Sequence, residues 1–326
     1  QLASVRAGVR HDFTARSSVL VLGYYQGGDS DFDLGTTFGL AQDLSQYSGE
    51  LRYLYRGDRW SGTAGVRYGQ RHADQVQTFE VFIPDDPPIV FSDTILASVR
   101  SDLFAAYAYT DLNLTPDLTL TLGASVDSID GSVFDIDRVS PKLGLLWSIT
   151  PATRLRLAAF QTVQGPGFSR QDIQPSLEPT FVGAFNQNFA GAESEIARRY
   201  GIGLDHRFPD RAYAGIEVSR RDVEFPFLES GVPPDFALTE RRVDRDETSV
   251  RTYLYATPTD RWALGLQYEY FKLAGPGLDS YVEPSGAITL EANLFPVFAR
   301  YIHPSGWSVG ATATGVHERG QFARLD

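Results

Sequence analysis

The chain has 326 residues, with 29 basic against 41 acidic side chains and a formal charge of −12. That surplus of acid argues against nucleic acid as a partner, which would call for a basic patch. No run of 18 apolar residues occurs, so a transmembrane helix is excluded; a transmembrane strand is not, because it needs only ~10 residues with every second one apolar.

Cysteine is absent, which removes disulfides and thiolate metal centres, and no cofactor or metal is expected. Methionine is absent too, and no signal peptide is visible. The chain is therefore expected to be an internal portion of a longer, exported protein.

In chain order, a first strand over 2–10 meets a short turn near 12–15. A long connection over 27–46 follows. It holds Asp29, Asp31 and Asp33, which lack the Gly and distal Glu of an EF-hand loop and read as a solvated acidic loop. A turn at 57–59 precedes Trp60, and a Pro-rich connection covers 71–99. The strand over 101–114 carries apolar residues on both faces near Phe104. After a turn at 115–117, the strand over 117–127 alternates strictly. Leu118, Leu120, Leu122, Ala124 and Val126 form one face, and Thr119, Thr121, Gly123, Ser125 and Asp127 the other.

Beyond a connection at 128–138, Trp147 stands before the turn at 150–153. Arg154 and Arg156 then share one face of a strand whose other face carries Leu155 and Leu157. The connection over 164–194 holds Phe168, Phe181, Phe185 and Phe189; it reads as an external loop with a small apolar cluster, with folding into a lumen as the alternative. The pattern resumes after a turn at 208–211 with a strand over 212–219, a connection over 222–247, and a turn at 257–260 before Trp262. The strand over 261–271, a connection over 273–287, a turn at 303–306 and Trp307 complete it. Five of the seven short turns contain Pro, which presets a turn dihedral and cannot extend a ladder.

Short turns at one end, long loops at the other and Trp beside the short turns describe an all-β fold, a transmembrane antiparallel β-barrel of an outer membrane. Seven hairpins give about 14 strands, and residues 1–326 form part of one barrel domain. Short turns face the periplasm, so the first strand starts outside and the last ends outside. A strand is then expected beyond each, giving 16 or more in the complete protein. Trp60, Trp147, Trp262 and Trp307 mark the periplasmic interface girdle. The polar strand faces should line an aqueous lumen. The candidates are Asp127, Arg154, Arg156, Glu217, Arg251, Tyr253, Tyr255, Gln267 and Glu269. Arginine facing lipid near the midplane would cost ~2–4 kcal/mol, which turns Arg154 and Arg156 inward. Each is either part of a polar solute path or a salt bridge that stiffens the wall. Tyr253 and Tyr255 are the most suggestive of a sugar path.

The stretch 140–208 reads SPKLGLLWSITPATRLRLAAFQTVQGPGF, then a loop, then ESEIARRYGIGLDHRF. Its Ser-Pro-Lys-x-Gly start and returning Glu-x-x-x-x-Tyr-x-x-Gly strand resemble TonB-dependent-receptor-like barrels. The loop portion IQPSLEPTFVGAFNQNF is similar to a relative of these, in which a tetratricopeptide-repeat region precedes such a barrel. The resemblance implies an outer-membrane transport or secretion protein. Export of a polar polymer such as polysaccharide, fed by a periplasmic repeat scaffold, is the first expectation. TonB-dependent import of a siderophore, cobalamin or glycan is the second, and a structural or adhesive barrel binding an envelope partner is the third. Outer-membrane lipid and lipopolysaccharide are expected partners, together with a polar solute and a possible periplasmic or envelope protein. No catalytic residue is expected: G-x-S-x-G, H-E-x-x-H and P-loop motifs do not occur, and the five histidines are scattered.

Overall fold

The structure, a computed structural model, describes residues 2–33, 38–83, 89–131, 134–165, 175–189, 191, 193–230, 238–276 and 287–322. Its first half contains β1 (Leu2–Thr14), β2 (Ser17–Asp33), β3 (Phe38–Arg56), β4 (Trp60–Ile83), β5 (Ile89–Thr115), β6 (Leu118–Gly131), β7 (Ile136–Thr150) and β8 (Thr153–Val163). A small hairpin follows, β9 (Phe181–Val182) and β10 (Phe185–Asn186). The second half runs through β11 (Ile196–Phe208), β12 (Ala212–Ser230), β13 (Leu238–Thr259), β14 (Trp262–Pro276), β15 (Ala287–Ile302) and β16 (Ser308–Phe322).

All strands except β9 and β10 form one 14-stranded antiparallel sheet in sequence order. Hairpin connectivity alone produces this meander. The seven short turns lie where the Pro and Gly punctuation places them, and among the described residues β1 and β16 each pair on one side only.

Burial is inverted relative to a water-soluble protein. Ile202 and Leu266 are about half exposed, at 50% and 52%, while Asp205 and Lys142 are 7% and 4% exposed. A continuous exposed apolar band is tolerated only against another apolar phase. The charges therefore face inward and the apolar residues face lipid. The four tryptophans, all exposed, sit on the outer face beside the short turns. The mixed strand resolves the same way: Leu103, Ala105, Tyr107 and Tyr109 are buried on the inner face, and Phe104 is exposed outside. Ile202→Arg in the apolar band should cost ~2–4 kcal/mol of folding stability. Urea unfolding in lipid vesicles would measure it, and an unchanged midpoint would place Ile202 away from lipid.

The long connections are shorter than composition suggests. Strands run far into them, β4 for 24 residues and β5 for 27. Asp29, Asp31 and Asp33 therefore lie in a strand rather than a loop, Asp29 opposite Asp43. Gly, Pro, Asp and Ser mark a loop only where backbone groups lack a partner. Here each hairpin ladder continues and supplies one.

Inner-face aromatics lean over the neighbouring strand where it offers a glycine. A Cβ added at Gly65 would meet the Tyr107 ring at 2.4 Å, and one at Gly123 the Tyr109 ring at 2.5 Å. Gly215 bears the end of Tyr253 in the same way, and Gly265 the ring of Phe298.

Candidate functional site

Of the residues after β8, those described from 175 to 189 do not form an external loop. From Pro175 to Phe189 the chain lies against the inner face of the sheet, and this overturns the external-loop reading. Glu50 on β3 accepts from Leu177 N at 2.8 Å, from Ser176 Oγ at 3.3 Å and from Tyr107 OH at 2.7 Å. Arg52 Nη1 donates to Leu177 O at 2.6 Å. On the other side, Arg199 of β11 donates to Asn186 O at 3.0 Å.

The small hairpin β9–β10 forms the centre of this segment. Its two-residue turn, Gly183-Ala184, has φ of 55° and 63°. Positive φ at both central residues is the type I′ geometry, which costs a non-glycine residue about 1 kcal/mol. Contact with the wall offsets that cost. Gly144 and Gly201 leave room for close approach: a Cβ at Gly144 would meet Gly183 N at 2.3 Å, and one at Gly201 the Phe185 ring at 2.3 Å. Phe185 and Val182 are buried with Tyr107, Tyr109, Ala158 and Phe160. Arg156 and Arg199 stack on the Phe185 ring at 5.2 and 5.6 Å from its centroid.

The segment is tied down at its end. Glu193 pairs with Arg71 of β4 at 2.6 Å, Glu195 with Arg245 of β13 at 3.7 Å, and Arg242 Nη1 donates to Ser194 O at 3.1 Å. Ser194 is fully buried and also has positive φ, 63°. Of the loop phenylalanines, Phe181 is exposed, Phe185 is the buried anchor, and Phe189 lies under the Arg221 guanidinium at 5.0 Å. Phe168 lies outside the described residues.

Between the segment and the wall is a polar chamber of about 80 Å³, room for a few waters. Arg67, Asp127, Lys142, Glu178 and Gln187 line it. Lys142 Nζ donates to Gln187 Oε1 at 2.9 Å, and Tyr109 OH donates to Glu178. Arg67 Nε is buried with no hydrogen-bond partner. Two cations and two carboxylates thus face one small volume.

All but one of the remaining lumen candidates fall into two neighbouring groups. Arg156 grips Asp205 with two hydrogen bonds, at 2.8 and 3.3 Å, and donates to Glu217 at 2.9 Å. Arg199 joins through Glu217 at 3.5 Å, and Tyr253 OH donates to Asp205. Arg251, Tyr253, Tyr255, Gln267 and Glu269 come together on β13 and β14. Tyr253 and Tyr255 stack at 5.5 Å, Gln267 Nε2 donates to Tyr255 OH at 2.7 Å, and Arg251 pairs with Glu269 at 3.4 Å. Arg154 stands apart, exposed in a hollow of about 160 Å³ with Ser148, Asp205, Arg207 and Tyr213.

Sequence reasoning missed Glu50, Arg67, Lys142, Glu178, Gln187 and Arg199. Each is a polar residue on an inner strand face or in the inward segment, but nothing in the local sequence ranks it above its neighbours.

Residues 2–314 match the family described as TonB dependent receptor-like, beta-barrel. No curated protein matches the sequence. Among solved structures, the fold is similar to the ferripyoverdine receptor of the outer membrane of Pseudomonas aeruginosa, with TM-score 0.60 and 11% identity over 98% of this chain and 50% of that one. It is similar to the siderophore receptor PiuA from Acinetobacter baumannii, with TM-score 0.58 and 12% identity over 98% and 57%. It is also similar to the ferric yersiniabactin uptake receptor FyuA from Yersinia pestis, with TM-score 0.59 and 13% identity over 97% and 53%. The chain spans about half the length of these structures.

Proposed function

The chain belongs to the TonB-dependent receptor-like β-barrel family, proteins of the bacterial outer membrane, and from this premise we propose that it forms barrel wall of an importer for a bulky polar solute. The observation that carries the reading is the inward segment. It spans the inner faces from β3 to β11 and is fastened at both sides, so this stretch of wall is covered from within. A passive export pore needs a clear lumen, whereas an energised receptor holds its path shut until it is driven open. Polysaccharide export, the first expectation from the sequence, finds no support. The residues that suggested a repeat scaffold include 175–189, which supply the inward segment. Siderophore and metal receptors among the similar folds support a metal chelate as the first class of solute to test.

The polar chamber holds only a few waters while the segment is docked; displacement of the segment, which takes Gln187 away from Lys142, would open it as the candidate contact point for that solute. On the outer face, Tyr68, Gln70 and Arg100 all donate to Asp102, at 2.8, 2.6 and 2.9 Å, above the apolar band. This cluster suits the headgroup level of lipopolysaccharide, and the tryptophans suit the opposite interface.

The test is uptake of a ferric siderophore panel by cells carrying the full-length receptor. Uptake of at least one member should fall about tenfold when the inner-membrane potential is collapsed, and again in Lys142→Met. Uptake that persists without the potential and scales with solute concentration would establish a passive pore instead.

A further inference from the structure

Two arginines on the inner wall lack a counter-ion at the short-turn end, where the wall opens toward the periplasm. Arg154 on β8 stands two residues before Arg156, and Arg207 on β11 two residues after Asp205, so alternation puts both on the inner face. Both are exposed, beside the turns over 150–153 and 208–211.

The register shows why neither is paired. Directly across from Arg154 are Asp205 on one side and Ser148 on the other. Asp205 is already engaged: it accepts twice from Arg156, at 2.8 and 3.3 Å, and once from Tyr253 OH. Across from Arg207 on β12 is Tyr213. Among the described residues, Arg207 makes one long side-chain bond, 3.5 Å from Nη2 to Pro151 O, and Arg154 makes none. Elsewhere on the inner wall Arg71, Arg156, Arg199, Arg221 and Arg251 each meet a carboxylate. Diagonal neighbours on adjacent strands stand ~7–8 Å apart, which lets two arginine side chains converge on one group. The two border a hollow of about 160 Å³ together with Ser148 and Thr150. Thr150 Oγ1 accepts from the backbone N of Ala152 and of Thr153, at 3.2 and 3.0 Å, so its own hydrogen remains to be donated.

We infer that this hollow is an oxyanion site that takes a phosphate group of a solute at the periplasmic mouth. A guanidinium fork matches phosphate geometry and bonds it through two parallel N–H groups. Two forks bring two positive charges to the two negative charges of a phosphate monoester, where a carboxylate offers one. The hydroxyls of Ser148 and Thr150 add further donors. Asp205 also borders the hollow, but Arg156 already answers its charge. A single exposed ion pair contributes little. Here both cations stand on paired strands of one sheet, so one ligand meets both without ordering a loop. Bound phosphate also replaces a repulsion between like charges with two attractions.

The inference rests on the import reading for its use, since that reading brings a solute to this end of the wall, but binding is measured without transport. The experiment is calorimetric titration of the purified full-length receptor, in phosphate-free detergent solution at constant ionic strength, with inorganic phosphate and with acetate. One phosphate should bind saturably, with half-saturation at or below ~1 mM. Acetate should bind about tenfold more weakly. Arg154→Ala and Arg207→Ala should each lose about tenfold in phosphate affinity. Arg154→Lys, which keeps the charge but not the fork, should lose less. Arg211→Ala, at the same end but paired with Asp260, should change nothing. Without phosphate, Arg154→Ala should unfold at no lower temperature than the unaltered protein, because it removes a repulsion rather than a bond. Phosphate that has not saturated by ~10 mM overturns the inference. So does acetate that binds as well as phosphate, or saturable binding that alanine at 154 and 207 leaves unchanged. An equal loss in Arg211→Ala also overturns it, since the whole rim would then be acting as a diffuse field. Absent phosphate binding leaves the import reading standing, and failed uptake with phosphate binding intact sinks the import reading alone.

Discussion

Phe185→Ala should detach the inward segment from the wall. The side chain is 1% exposed, packs over Gly201 and carries two guanidinium groups on its ring. Removing a buried Phe costs ~3–5 kcal/mol in a site that does not collapse. Here the cost falls on docking of the segment rather than on the sheet, whose ladders do not depend on it. Docking already carries the strain of Ala184, and it is held elsewhere by separate hydrogen bonds of ~0.5–1.5 kcal/mol each. The segment should therefore be mostly undocked. Hydrogen exchange over 175–189 should lose protection by two orders of magnitude or more, and a protease should cut there while β3, β7 and β11 stay protected. Gly201→Ala is the complementary test: its Cβ would meet the same ring at 2.3 Å and should produce a milder form of the same opening. Unchanged protection in Phe185→Ala would show that the segment is held by its ends alone.

Arg156→Met should destabilise the barrel itself by ~3–5 kcal/mol, the usual result of removing one partner from a buried pair. The side chains of Arg156 and Asp205 are each 9% exposed, and Asp205 also takes the Tyr253 hydroxyl. Without the guanidinium, Asp205 loses its charged partner and Glu217 keeps only Arg199. Methionine fills similar volume, so the loss reports charge rather than a cavity. Adding Asp205→Asn should restore part of the loss, because the remaining Glu217 still has Arg199. Vesicle-reconstituted protein unfolded in urea gives the three values. A loss under about 1 kcal/mol for Arg156→Met would mean that water reaches the carboxylates.

The parts of this architecture that depend on short-range pattern were legible. Strict alternation over 117–127 gave β6 its two faces. Turn chemistry located the seven short connections. What was not legible depends on pairing across the sheet. Arg156 meets Asp205 and Glu217 across 49 and 61 residues, and no spacing rule joins them. Asp29 and Asp31 looked like loop because their composition is that of a loop; only the ladder to β3 makes them strand. The inward segment was hardest. Its turn is Gly183-Ala184, without the Asn-Gly or Asp-Gly signal of a tight hairpin, and the glycines that admit it, Gly144 and Gly201, stand on two different strands.

Alternation of faces leaves one error uncorrected. A strand that slides by a single residue turns every side chain to the wrong face and is rejected at once, but a slide of two residues keeps all faces correct. In a meander of long strands such slips are nearly degenerate. The ring-on-glycine pairs remove the degeneracy, because Gly65 lies directly opposite Tyr107, Gly123 opposite Tyr109, Gly215 opposite Tyr253 and Gly265 opposite Phe298. Slide β5 by two along β4 and the Tyr107 ring lands on Thr63 or Arg67, where a side chain already fills the space. Because Tyr107 and Tyr109 seat on opposite neighbours, β5 is keyed on both edges, and a misthreaded hairpin in the middle of the sheet has no flat place to lay its rings.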